Sequence, residues 1–77
     1  MSKKFNTVEI DDCDVGDVCW VILKHETQPV YGTITRKHIS ENAIQVMTDF
    51  LGFRTVLCNH AFWEEKQAKE FRKLNKK

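Results

Sequence analysis

Apolar and polar residues alternate with a period of two through most of this chain, and only the C-terminal end changes to a helical period. In residues 18–24, Val18, Trp20 and Ile22 share one face of a strand and Cys19, Val21 and Leu23 share the other. Both faces are apolar, which predicts a strand that is central or lies at a bend. Residues 30–39 are rich in β-branched and aromatic side chains, and Gly32 among them predicts a bulge or sharp bend. Residues 43–48 set Ile44, Val46 and Thr48 against Ala43, Gln45 and Met47; residues 53–58 set Phe53, Thr55 and Leu57 against Arg54, Val56 and Cys58. Residues 5–10, with Val8 and Ile10 in phase, predict a short edge strand.

The breaks between these runs are short. Gly16-Asp17 opens the first long strand, residues 25–29 and 40–42 connect the next ones, and residues 49–52 form a hairpin tip with Gly52 where a positive φ is needed. No crossover is long enough for a parallel sheet, so the pattern predicts an antiparallel meander that curls into a small five-stranded barrel over residues 5–58. A C-terminal α-helix is predicted over residues 59–75: Asn59 is a good N-cap, and Ala61, Ala68, Phe71 and Leu74 fall on one face. Glu65 with Lys69 and Glu70 with Lys73 support its surface. Phe62 and Trp63, in its first turn, are expected to plug the open end of the barrel.

Size limits the chemistry. A chain of 77 residues is one domain, and it buries only about 60% of its unfolded surface, so a catalytic cleft would compete with the core. No Ser-His-Asp or Cys-His arrangement can be argued from residue order, and no catalysis is expected. The three cysteines, Cys13, Cys19 and Cys58, lack paired metal-ligand spacing even with His25, His38 and His60 considered; they read as buried, inert thiols in a reducing cytoplasm. Asp12-x-Asp14 lacks the glycine and the glutamate of a calcium loop. No metal or cofactor is expected. The longest purely apolar run, from Cys19 to Leu23, is far too short to cross a membrane.

Charge is unevenly spread. Residues 1–17 hold two lysines against five acids, and residues 60–77 hold six cations against three glutamates, within a net +1 for the chain. Mixed charge of this kind is common on solvated faces, and a basic tail also suits an acidic surface.

Three segments carry a resemblance: Val15-Gly16-Asp17-Val18-x-Trp20-Val21, Val30-Tyr31-Gly32-Thr33-Ile34, and Val46-Met47-Thr48-Asp49-Phe50-Leu51-Gly52. Together they resemble SH3-like small barrels of the Tudor and KOW type over residues 15–58. The resemblance implies a non-enzymatic binding domain for a peptide, a modified side chain or nucleic acid. A Tudor-type pocket carried onto this chain takes walls from Trp20, Tyr31, Phe50 and Phe53, with Asp49 as polar partner. The loop of residues 25–29 lacks an aromatic to complete such a cage, and Leu51 stands where a small residue is expected, so a flatter aromatic patch is the expectation.

The expected function is therefore docking of a protein partner at an apolar rim formed by Tyr31, Phe50, Leu51 and Phe53, with Arg36, Lys37 and Arg54 fixing its orientation. Phe50 and Leu51 carry the argument, because a hairpin tip should be polar; the alternative is that they fold back on the helix. Such a module suits an accessory or inhibitor protein of a larger machine, as a monomer or as a weak homodimer sharing the edge of residues 5–10. The KOW-like alternative is nucleic-acid binding through Lys24, Arg36, Lys37, Arg54, Lys69, Arg72 and Lys73. Against it stands a pI near 7.7.

Overall fold

Short connections build most of this fold, because each strand but the last pairs with its neighbour in sequence. A computed structural model describes residues 6–74. Five strands, β1 (Val18–Val21), β2 (Val30–His38), β3 (Ala43–Thr48), β4 (Gly52–Leu57) and β5 (Ala61–Phe62), form one antiparallel sheet in the order β4-β3-β2-β1-β5. The helix α1 (Glu65–Leu74) follows. The fold is mainly β. β4 and β5 are the two edges of the sheet and do not pair with each other, so the sheet is open. It curls nonetheless: Ile22, Leu23 and Lys24 face Thr55, Val56 and Leu57 across a cleft of about 360 Å³.

The inner face holds the core. Cys19, Val21, Ile34, Ile44, Val46, Val56 and Ala61 project there, and Val8, Cys13 and Cys58 join them from the flanking segments. Full burial of each larger aliphatic side chain contributes roughly 1.5–3 kcal/mol, which is substantial for a chain this short. The segment before β1 is clamped onto the sheet. Gly16 N–H donates to the Ile34 carbonyl at 2.8 Å, and Ile34 N–H donates to the Asp17 carbonyl at 2.8 Å.

Gly32 is needed for a different reason than the pattern predicts. The β-bulge lies further along β2, between Ile34 and Arg36. At Gly32 an added Cβ would meet the Val46 Cβ at 3.0 Å, so glycine is there to let the β3 side chain pack against β2.

Two predicted boundaries are corrected. Phe5 lies outside the described residues, and of residues 6–10 only Thr7 pairs, as an isolated bridge to Phe62. The fifth strand is Ala61–Phe62 instead. The helix begins at Glu65 and not at Asn59, because Cys58–His60 form a 3-10 turn and the chain then runs extended. Burial overrides the local capping signal here. Ala61 enters the core, while Phe62, one residue on, turns to the opposite face; both are fully buried, which only an extended segment covered on two sides allows.

That second cover is α1, which packs on β1 and β5. Ala68 is fully buried, and the Phe71 ring lies 5.1 Å from Phe62 and 5.6 Å from His60. Phe62 is thus sandwiched under the helix and does not plug a barrel end. Trp63 points into partial exposure. The Glu65–Lys69 pair forms at 3.5 Å with both side chains exposed, a contact of small energetic weight.

Candidate functional site

The hairpin between β3 and β4 is held rigidly from within. The Thr48 hydroxyl donates to the Gly52 carbonyl at 2.8 Å and accepts from the Leu51 N–H at 3.0 Å. Thr48 and Gly52 are register partners, so Asp49, Phe50 and Leu51 form a three-residue tip, with Gly52 at φ +73° supplying the left-handed exit. At this tip Phe50 is 96% exposed, and Leu51 is half-buried.

Opposite the tip lies the β1–β2 connection. Glu26, Pro29 and Tyr31 line one side of a groove of about 280 Å³, and Asp49, Phe50 and Leu51 line the other. Behind Tyr31 stands Trp20, its register partner on β1, with ring centroids 4.9 Å apart at a tilt of 58°. The indole supports one side of the tyrosine ring, which stays 46% exposed. Two carboxylates, Glu26 and Asp49, sit among these apolar walls.

Of the residues expected to bind a partner, the structure brings Tyr31, Phe50 and Leu51 together. It does not bring the others. Phe53, the cross-strand partner of Met47, shares the outer face of the sheet with Tyr31 but lies outside the groove, 57% exposed. Arg36 sits far along β2, roughly 17 Å from Tyr31 at about 3.3 Å per strand residue, opposite Gln45. Lys37 is on the inner side, where its ammonium donates to the Cys13 carbonyl at 2.7 Å and ties the preceding loop to the sheet. Arg54 is exposed on the edge strand, and one of its guanidinium nitrogens donates to the neighbouring Phe53 carbonyl at 3.1 Å. A Tudor-like set is likewise divided, with Trp20 behind the groove wall and Phe53 away from it.

Lys24, Lys69, Arg72 and Lys73 gather elsewhere. The last three line a groove of about 420 Å³ with Thr27, Gln28 and Pro29. Lys24 and Arg72 share the adjoining hollow with Phe71 and His60. The Arg72 Nε is sealed from solvent without a hydrogen-bond partner among the described residues.

The cysteines converge in the core as free thiols. Burial pushes the Cys19 thiol up to about 12, and its neighbours Cys13 and Cys58 add to the rise. Burial also raises Cys13 and Cys58, opposed in both by the charge of Lys37. Protonated thiols of this kind are poor nucleophiles and poor ligands. Among the described residues, no three His, Cys, Asp or Glu side chains are grouped to hold a metal ion. No helix among them is long and apolar enough to cross a membrane.

Sequence reasoning missed Glu26 and Pro29, which join the groove only through the packing of two loops. It also passed over Met47 and Val18 as surface residues, although the period-two pattern already set both apart from the core positions beside them. Set against known proteins, the chain matches no protein-family model, no curated protein and no solved structure.

Proposed function

We propose that this chain is a small non-enzymatic binding module, SH3-like in kind, that docks a segment of a partner protein in the groove between the β1–β2 connection and the β3–β4 hairpin tip. The strand order and the curl of the open sheet support the architectural part of this reading. One observation carries the functional part: Phe50 is 96% exposed on a hairpin tip closed by the Thr48 hydroxyl, across the groove from Tyr31. Covering such a ring is worth roughly 1.5–3 kcal/mol to whatever covers it. Glu26 and Asp49 refine the partner. A segment with an apolar anchor next to a lysine or arginine would satisfy both the ring faces and the carboxylates.

A selection of peptides displayed on phage against the whole protein tests this. Enriched peptides should carry an aromatic or aliphatic anchor beside a basic residue and should shift the amide resonances of Tyr31, Phe50 and Leu51. A Phe50→Ala, Leu51→Ser double variant should stay folded and lose that binding. If the double variant unfolds, the two residues are structural and the reading fails.

A second reading is favoured by the gathering of Lys24, Lys69, Arg72 and Lys73 beside α1. Those residues would contact phosphates of a nucleic acid. Titration with mixed short DNA and RNA at low salt should then shift the amides around them, and the shifts should disappear as salt rises. A spectrum unmoved by nucleic acid would remove this alternative.

A further inference from the structure

The outer face of the sheet is divided. Over β5 and the C-terminal part of β1 it is covered by α1, while from Val18 at the start of β1 across β2, β3 and β4 it is bare. Direct register partners put Val18, Thr33, Met47 and Phe53 in one row across four strands, with Tyr31 and Leu57 on the same face to either side. Their apolar members are well exposed: Val18 43%, Tyr31 46%, Met47 49%, Phe53 57% and Leu57 49%.

We infer that this bare face is the contact surface of a homodimer, in which two copies pack sheet against sheet about a two-fold axis near Met47. Charge argues for a second copy as the occupant. In a chain with 30% charged residues, the row carries none, and the one formal charge on this part of the face is Arg36 at its margin. An uncharged face offers no charge pattern by which a foreign partner would be selected, and it meets its own copy without burying an unpaired ion. The geometry fits as well. Four strands about 4.8 Å apart make a strip some 14 Å wide, and facing sheets pack about 10 Å apart with interdigitated side chains. The exposed apolar area is on the order of 500 Å² per copy, so a dimer would bury about 1,000 Å² of apolar surface in total, at the lower end for a specific interface. Association is accordingly weak and concentration-dependent.

Sedimentation equilibrium of the full chain, from about 10 μM to about 1 mM, reads this directly for so small an interface. The mass should rise with concentration toward twice the 9.1 kDa of one chain. Met47→Lys and Met47→Glu should each weaken association at least tenfold, since each buries two like charges near the axis. Mixed in equal amounts they should recover the doubled mass, which an unfolded variant cannot do. Phe50→Ala, at the hairpin tip and outside this row, should leave association unchanged, which distinguishes the face from the tip even though Tyr31 borders both. Should Met47→Lys fail to fold, Phe53→Lys with Phe53→Glu on the edge strand repeats the test. A wild-type chain that stays at 9.1 kDa throughout overturns the proposal. So does a Met47→Lys chain that still dimerises, or a mixture that stays monomeric.

Discussion

Phe62 and Phe53 both stand in strands and both project to the outer face of the same sheet, yet one is fully buried and the other 57% exposed. The difference is α1. Its Ala68 and Phe71 lie over β5 and β1, and nothing among the described residues lies over β3 and β4. The covered end behaves as core and the bare end as surface, although each presents a phenylalanine on the same face of the sheet. An aromatic in a strand therefore reports that a face is apolar; the path of the rest of the chain decides whether that face is stabilising or available.

The largest expected effect tests the covered end. Phe62→Ala removes the ring that joins the sheet to the helix and should cost about 3–5 kcal/mol, a large share of the stability of a domain this small, on the order of 4–12 kcal/mol. Urea unfolding followed by tryptophan fluorescence measures it. Gly32→Val comes next. The added Cβ would lie 3.0 Å from Val46 Cβ, inside the inner layer beneath the bare face. Overpacking should cost about 1–3 kcal/mol and outweigh the 0.4–1 kcal/mol or so gained by restricting the unfolded chain.

A smaller, graded effect comes from alkali. In the unfolded chain the Cys19 thiol ionises near 9, and in the folded protein burial pushes it up to about 12. Between these values the folded state holds the proton more tightly, so this contribution to stability is complete below pH 9 and is lost as pH rises toward 12. Cys13 and Cys58 act in the same direction. Cys19→Ala should flatten the decline in urea midpoint above pH 9, and an unchanged slope would place the effect elsewhere. The smallest effect belongs to the bare end: Phe53→Thr should change the stability of the single chain by less than about 0.5 kcal/mol. A loss comparable to that of Phe62→Ala would erase the distinction between the two ends.

Much of this was legible in the residues. The inner positions Cys19, Val21, Ile34, Ile44, Val46 and Val56 follow from alternation, because a strand with one buried face must repeat every second residue. The hairpin at residues 49–52 was legible from an acid and a glycine between two alternating runs, and Gly52 takes the positive φ expected of it. Phe50 and Leu51 stood out as apolar residues at a turn, and the structure sets them across a groove from Tyr31, which lies within a strand. By contrast, residues 59–62 carried a sound N-cap and helical spacing and still became a 3-10 turn and a strand. Asn59 can offer about 1 kcal/mol as a cap, whereas burying Ala61 and Phe62 on opposite faces is worth several times that by apolar area. Lys37 misled in the same manner: its charge suggested a partner, and its ammonium binds the Cys13 carbonyl of its own chain.

Sequence by itself determined the four strands from Val18 to Leu57, their turns, the inner layer of the core and the apolar character of the hairpin tip, because these depend on neighbours one to four residues apart. Tertiary structure alone decided that Glu26 and Asp49 share a groove, that Lys37 faces inward, and that the helix covers one end of the outer face and leaves the other open. Those outcomes depend on which distant segments come together, and the period of a pattern carries no information about distance in space.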